Sequence, residues 1–427
     1  MSIKDFFVKE KPVFTGISRG VGGFGFGKAA SSGSEPSNPY GGSASGGVVS
    51  GGIPSGDGFR YFVFISSGTS LVTDAECPAN NISILCVGAG GGGGSGHAGG
   101  GGGGAVVHLD FGSGSLSAGS YTVAVGTGAA GGTSSPNTGI NGVDSTFGTD
   151  AGPPSTTFIR SKGGGAGGGW QDGGLPGGSG GGQTGGAGSP GASTATLPGP
   201  NLFGGRAIAY GNSGGVGAYS GGGGGGSGSV GQSSDALPAP APEIRARNPA
   251  TIPANHPNYP LGGAQPGSPL PASTPYAGAG GGMISGPSTG TYIWPTAADY
   301  KTPNKSTGGF GGHGKSFPEF PSIDYAPAIP SPVRTNWGNA VTSLGIFGAG
   351  GGGGSHTNNG NPNTASGGGM GGIGGGGNGG QHPPGGTGGG GSAAINYTGS
   401  GGGGSGNQPQ NGYAGANGIV IVKIKMA

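Results

Sequence analysis

The chain has 427 residues, of which 121 are Gly and 35 are Pro, whereas average usage is roughly 7% and 5%. Only 7% of the residues are charged, and 17 Lys and Arg nearly balance 15 Asp and Glu. Binding to nucleic acid or to an anionic membrane needs a strong basic excess, so this composition argues against both partners. Because apolar residues are few, any conventional core must be small and confined to a few segments.

The first residues, MSIKDFFVKEK, do not form a targeting signal. Lys4, Asp5 and Lys9 stand where a secretory signal needs roughly 7–15 continuous apolar residues. No run approaches the roughly 20 apolar residues that span a bilayer. We therefore expect no membrane insertion and a chain that first folds in a cytosol.

Residues 1–30 are predicted to form a docking segment, and the Ser-, Gly- and Pro-rich residues 31–57 a linker. Ser2 and Asp5 have the spacing of a capping box, and a short amphipathic helix would end before Pro12. The alternative is a disordered chain end, although disordered tails rarely carry so many aromatic residues. The candidate docking residues are Ile3, Phe6, Phe7, Phe14, Ile17, Phe24 and Phe26.

Seven short apolar runs predict β-strands. Each is β-branched or aromatic and is bounded by Gly, Ser or Asn, and several alternate as strands with one buried face do. No run beyond residues 1–30 has helical periodicity, so the predicted fold is all-β with almost no α-helix. The predicted strands are 59–65, 82–87, 105–111, 121–125, 145–147, 157–160 and 418–425.

Glycine tracts separate these strands, and two interpretations compete. Gly-rich sequence can be a flexible linker, or it can pack as polyproline-II helices whose backbone groups satisfy those of neighbouring helices. The tracts abut apolar strands with no polar spacer, and LCVGAGGGGGSGH (85–97) resembles IFGAGGGGGSH (346–356). Both observations favour the packed bundle. The tracts are 88–104, 163–186, 221–226, 348–354, 368–380, 385–391 and 401–404.

No catalytic or metal-binding group emerges from the sequence. The six His residues have no His or Cys partner at the spacing of metal ligands. His108 and Asp110 share one face of a predicted strand, which is more typical of a polar strand face than of an acid–base pair. Cys86 lies in an apolar run and is interpreted as a small buried hydrophobe, with a Cys77–Cys86 bridge as the alternative. We predict that the chain is not an enzyme and needs no cofactor.

Several motifs resemble a known family. YFVFISSGTSLVTDAECPANNISILCVGAGGGGGSG leads into a glycine tract, SAGSYTVAVGTGAAG and NGVDSTFG follow, and the chain ends in GANGIVIVKIK. Over residues 58–425 this arrangement resembles the glycine-rich, polyglycine II domain of tail-fibre and adhesin proteins of tailed phages, especially marine ones. The resemblance implies a small strand-built base closed by the C-terminal strand, a polyglycine bundle, and exposed loops that contact a host. The Pro- and aromatic-rich stretch 233–345 departs from the pattern and leaves open whether there are one or two bundles.

The resemblance implies a virion protein, either a tail fibre or an adhesin, assembled in the host cytoplasm. Its N-terminal segment would contact other virion proteins, and its loops a host surface glycan or outer-membrane protein; a homo-oligomer is a further option. A purely structural or decoration role on a virion or appendage is one alternative, and an ice-binding or cell-wall protein is another. Aromatic residues on the Pro-rich stretch are the candidates for receptor contact, with Trp294 first. They are Tyr259, Tyr292, Trp294, Tyr300, Tyr325 and Trp337.

Overall fold

The computed structural model describes most of the chain from residue 40 onwards, and Tyr40–Lys425 forms one compact unit. The described residues are 40, 43–45, 52–55, 58–110, 114–133, 137–148, 158–185, 188–195, 206–234, 284–285, 292–293, 305–306, 308–357, 367–381, 391–406 and 410–426.

Strands and two short helices make up the regular structure. In chain order the strands are β1 Ser43–Ser45, β2 Ile53–Pro54, β3 Phe59–Phe64, β4 Thr69–Thr73, β5 Cys77–Pro78, β6 Ile82–Val87, β7 Val106–Asp110, β8 Ser115–Leu116, β9 Gly119–Ala124, β10 Ser145–Gly148, β11 Phe158–Ser161, β12 Arg206–Tyr210, β13 Ile284–Ser285, β14 Tyr292–Ile293, β15 Lys305–Ser306, β16 Lys315–Ser316, β17 Ile346–Phe347, β18 His356–Thr357 and β19 Ile419–Lys425. The helices are α1 Ser322–Tyr325 and α2 Ser331–Val341, and 3₁₀ turns occupy Ala79–Asn81 and Ala326–Ala328. Within the described residues, no helix is long and apolar enough to cross a membrane.

Two antiparallel sheets form the base of the molecule. The larger sheet has the strand order β12-β7-β6-β19-β3-β2, and the smaller has the order β1-β4-β9-β10-β11. The C-terminal strand β19 pairs with β6 on one side and with β3 on the other over almost its whole length. The prediction that this strand closes the base is therefore confirmed.

The larger sheet has buried apolar side chains on both of its faces. Phe62, Cys86 and Val422 pack toward the smaller sheet in one hydrophobic core. Tyr61, Leu85 and Ile421 point to the opposite face, where a second core includes side chains from 317–347. Period-two alternation explains this division, since neighbouring residues of a strand point to opposite faces. The expectation of one buried face for the last strand is thus wrong, because a helical layer covers its second face.

All seven predicted strands are present, with ends shifted by one or two residues. The strands β4 and β12 were not predicted from the sequence. Neither was the 11-residue helix α2, which carries Pro in its first turn. Proline is favourable there because its missing N–H is unpaired in any helix start. Part of the segment predicted as a linker forms β1 and β2, which pair with β4 and β3.

The glycine tracts are ordered by hydrogen bonds with a three-residue period. Every third N–H of tract 88–95 donates to the same neighbouring segment, over distances of 2.9–3.1 Å. Three residues per turn without internal hydrogen bonds is the geometry of a polyproline-II helix. Gly88, Gly91 and Gly94 donate to 99–105, Ala89, Gly92 and Ser95 donate to 137–143, and Gly90 and Gly93 donate to 413–416.

Tract 98–105 lies at the centre of the bundle. Each of its N–H groups donates to a carbonyl of another tract, and the tract is buried throughout. Six tracts surround it among the described residues: 399–405, 162–168 and 222–225 accept from it, and 88–95, 179–182 and 351–354 donate to it. Because tracts from both sides of stretch 233–345 share this neighbour, the described tracts form a single bundle. Residues 308–314 of that stretch form a further tract within it.

Close approach of the backbones explains why these positions hold glycine. A Cβ atom on Gly90 would lie 1.8 Å from the carbonyl oxygen of Ser400, and one on Gly101 would lie 2.1 Å from that of Gly91. Both distances are far inside van der Waals contact, and the neighbouring atoms are backbone, which cannot rotate away. The packed interpretation of the tracts is therefore confirmed for the described residues.

Side chains appear where a tract meets the outside of the bundle. The N–H groups of Gly163 and Ala166 donate to Asp144 Oδ1 at 2.9 Å and to Asn141 Oδ1 at 2.8 Å. The acceptors are three residues apart, as the donors are. Ile140 and Val143 belong to the tract that supplies these acceptors, and they are 59% and 52% exposed. Side chains of the adjacent tract thus accept from these two N–H groups in place of backbone carbonyls.

We expect deletion of 418–427 to abolish soluble folded protein. The deletion removes the strand between β3 and β6, including Ile419, Val420, Ile421 and Val422, which are all 0% exposed. Each such side chain stabilises the fold by roughly 1.5–3 kcal/mol, against a typical total of roughly 5–15 kcal/mol. Circular dichroism and soluble yield measure the effect, with Lys425→Ala at the exposed strand end as control. Equal melting temperatures for the truncated and full chains would contradict this account.

Gly101→Ala is expected to destabilise the protein by about 1–3 kcal/mol or more, because the new methyl group meets backbone in a fully packed tract. The matched control is Gly338→Ala in α2, where an added Cβ meets nothing within 4 Å. Removing glycine from a helix interior should stabilise the protein by about 0.5–1 kcal/mol. Chemical denaturation of both variants measures the difference, and similar unfolding midpoints would argue against tight packing.

Amide exchange should be slow throughout tract 98–105, although its composition is that of a flexible linker. Every one of its N–H groups has a buried hydrogen-bond partner, and such groups exchange only after cooperative opening. Gly68, in an exposed turn of the base, provides a fast-exchanging reference in the same protein. Mass spectrometry of peptic fragments can follow both, and random-coil exchange in the tract would rule out the bundle.

Candidate functional site

The tracts give the molecule two ends. Tract 88–95 leaves the end of β6 and extends away from the sheets for eight residues, or roughly 25 Å at about 3.1 Å per residue. The turns at the far ends of the tracts form the distal end, which we define by residues 95–98, 169–172, 218–220 and 355–357. Since backbone groups within the tracts pair with one another, turns are where side chains can be presented to a ligand.

Three aromatic rings from separate turns meet at the distal end. The rings of His97 and His356 are perpendicular, with centroids 4.1 Å apart. Trp170 stacks on His356 at 5.5 Å and 16°, and it contacts the edge of His97 at 5.3 Å. His97 is buried, whereas Trp170 and His356 are half-buried. We call these three residues the distal aromatic cluster.

Hydrogen bonds fix the turns that carry the cluster. His97 Nδ1 lies 3.2 Å from the carbonyl oxygen of Ser355, the residue before His356. Thr184 Oγ1 donates to the carbonyl of His97 at 2.7 Å, and the N–H of His356 donates to Ser220 Oγ at 2.9 Å. These contacts join four turns that are far apart in sequence. The cluster is therefore held by the same long-range pairing as the bundle.

Two residues of these turns have a backbone conformation that normally favours glycine. His97 has φ +57° and Gln171, beside Trp170, has φ +67°. A non-glycine residue in the left-handed region costs roughly 1–2 kcal/mol. The two turns thus hold non-glycine residues in a conformation that glycine adopts at lower cost.

Exposed polar and aromatic residues neighbour the cluster residues in the chain. Asp172 is exposed, and its Oδ2 accepts a hydrogen bond of 3.1 Å from Thr138 Oγ1. Tyr219, next to the Ser220 that bonds His356, is 55% exposed. A half-buried indole beside exposed carboxylate, amide and phenol groups can bind a ligand that has both an apolar face and hydroxyl groups.

Two of the six residues predicted to contact a receptor lie in the core instead. Tyr325 and Trp337 are both 0% exposed, and their rings meet edge to face at 5.5 Å. Burial raises the pKa of Tyr325 well above its usual value. Trp337 Nε1 donates to the carbonyl of Tyr397 at 3.0 Å. Their side chains are packed inside the core and have no surface to offer a receptor.

The remaining predicted contact residues are not placed. Tyr259, Trp294 and Tyr300 lie outside the described residues, and Tyr292 is described only through its backbone in β14. Ser234, whose Oγ accepts from the N–H of Ala218, and Gly308 are the bundle residues on either side of stretch 235–307. Both residues lie at the distal end. The predicted docking residues Ile3, Phe6, Phe7, Phe14, Ile17, Phe24 and Phe26 also lie outside the described residues.

The distal aromatic cluster was not predicted from the sequence, although two features of the sequence indicate it. The repeats 85–97 and 346–356 both end in His, so equivalent packing of the two tracts would bring these residues to the same end. Trp170 interrupts a tract of seven residues in which only Ala166 is not glycine. A large aromatic residue there cannot be part of the packed bundle and must belong to a turn.

A second group of polar residues lies on the base, around a cavity of about 310 Å³ lined by Phe59, Asn80, Ile82, Ser83, His108, Glu319 and Lys423. Ser83 Oγ is 3.0 Å from His108 Nε2, and Glu319 Oε1 is 3.3 Å from the same nitrogen. A hydrolytic triad needs the acid on Nδ1, so that Nε2 can accept the serine proton. This arrangement therefore does not match a Ser–His–acid triad.

Neither cysteine has the environment of a reactive thiol. Cys77 and Cys86 are both free and 0% exposed. Burial raises the pKa of Cys77 to about 11 and that of Cys86 further still. The interpretation of Cys86 as a buried hydrophobe is confirmed. In the described part of the chain, no three His, Cys, Asp or Glu side chains are grouped to hold a metal ion.

Comparison with known proteins agrees with the architecture. No curated protein matches the sequence. The sequence model of the glycine-rich domain matches residues 65–322, from the end of β3 to the start of α1. The match covers more than half of the chain, and it includes the central tract of the bundle. The chain therefore belongs to the glycine-rich domain family.

Proposed function

We propose that this protein is an adhesin or tail-fibre component of a tailed phage, and that its distal end recognises the surface of a host cell. The observation that carries the proposal is the division of the molecule: a packed bundle separates the base from a set of turns that present aromatic and polar side chains. Such a bundle acts as a rigid support, because each tract is fixed by several others. The motif resemblance to phage adhesins supports the same function.

The two points at which stretch 235–307 is joined to the bundle are consistent with this proposal. Stretch 235–307 is connected to the bundle at Ser234 and Gly308, both at the distal end. Trp294 and its aromatic neighbours therefore remain candidates for receptor contact together with Trp170 and Tyr219. The base, with its exposed Ile323 at 78%, is the end available for attachment to other virion proteins.

We expect the fluorescently labelled full chain to bind a subset of marine bacterial isolates in flow cytometry. Trp170→Ala should weaken that binding at least roughly thirtyfold if the indole is a hot spot of the interface. Its melting temperature should fall only slightly, because Trp170 is half-buried in a turn and loses only its ring contacts with two histidines. Trp294→Ala tests the residue that sequence analysis favoured.

Ile323→Ala is the matched control, since it removes an exposed apolar side chain at the opposite end. It should leave cell binding unchanged. Binding to no isolate, combined with immunoelectron microscopy that places the chain on a capsid or tail tube, would favour the purely structural alternative. Equal loss of binding in the Ile323 variant would contradict recognition at the distal end.

A further inference from the structure

We propose that the distal aromatic cluster binds a pyranose ring of a cell-surface polysaccharide. This inference rests on the proposed function and narrows it from a general host receptor to one chemical class. It starts from the ring geometry of Trp170, His356 and His97.

The indole of Trp170 is held in a fixed orientation. His356 stacks on it and His97 makes a T-shaped contact with it. A ring fixed in advance loses little conformational freedom when a ligand binds. Part of Trp170 remains exposed, and the apolar C–H face of a pyranose can pack against an indole ring.

Polar groups stand next to the ring, as hydroxyl-rich ligands require. Asp172 and Gln171 are exposed in the same turn, and Thr138 donates to Asp172. A carboxylate and an amide accept and donate hydrogen bonds to neighbouring hydroxyls in defined directions. Ligand selectivity in such sites comes from a few polar groups beside an apolar wall.

Other ligand classes fit the cluster less well. The turns 95–98, 169–172, 218–220 and 355–357 contain Asp172 and no Lys or Arg, so they do not suit phosphate or nucleic acid. A protein partner usually needs about 800 Å² on each side, whereas the cluster presents one half-buried indole with Tyr219 nearby. A single sugar ring matches the area that is offered.

The test combines saccharide binding with chemical treatment of cells. Saturation-transfer NMR of the full chain with methyl glycosides of glucose, mannose, galactose and N-acetylglucosamine should give signal for at least one of them. Trp170→Ala should weaken that binding at least roughly tenfold, Trp170→Phe should retain part of it, and Ile323→Ala should leave it unchanged. Equal glycoside binding by the wild type and the Trp170→Ala chain would overturn the proposal.

Treated cells separate this inference from the proposed function. Periodate cleaves vicinal diols of surface sugars, so it should remove cell binding, while protease treatment should not. Binding that survives periodate and is lost after protease would overturn the saccharide assignment and leave the adhesin function intact. Absence of binding to any untreated isolate would instead contradict the proposed function itself.

Discussion

The structure depends on one constraint: a buried backbone must have its N–H and C=O groups paired. In the bundle this pairing occurs between tracts instead of within a helix or between two strands. Three acceptor segments surround each interior tract, and three donor segments complete the shell around tract 98–105. Tracts can approach this closely only when no Cβ intervenes. The composition of the chain is therefore a consequence of its hydrogen bonding.

The same constraint separates support from recognition. Side chains are excluded from interior tracts, so they are confined to the base, the outer face of the bundle and the turns. At the base they form two cores on either face of the larger sheet. On the outer face Asp144 and Asn141 accept from tract N–H groups in place of backbone carbonyls. At the distal turns, in contrast, aromatic and polar groups are available for contact with another molecule.

Much of the fold could be predicted from the sequence, and the omissions have physical causes. The strands and the purest tracts carry strong local signals, namely β-branched alternation and uninterrupted glycine. Tracts such as 137–143 contain Ile140, Asn141 and Val143, so their composition does not distinguish them from loops. Glycine also carries no information on register, so the neighbours of each tract follow only from the assembled bundle.

The aromatic residues show the limit of local reasoning about the site. The last strand, IVIVKIK, is apolar on both faces, which requires a second covering layer. Large side chains of 317–341 meet that need, and this accounts for the burial of Tyr325 and Trp337. Conversely, a bundle with no space for side chains leaves Trp170 no place except a turn. An aromatic residue of this chain is therefore buried where it lies beside an apolar surface that needs covering, and it is available to a ligand where the packed tracts force it into a turn. The proline content around the residue does not decide between these two outcomes.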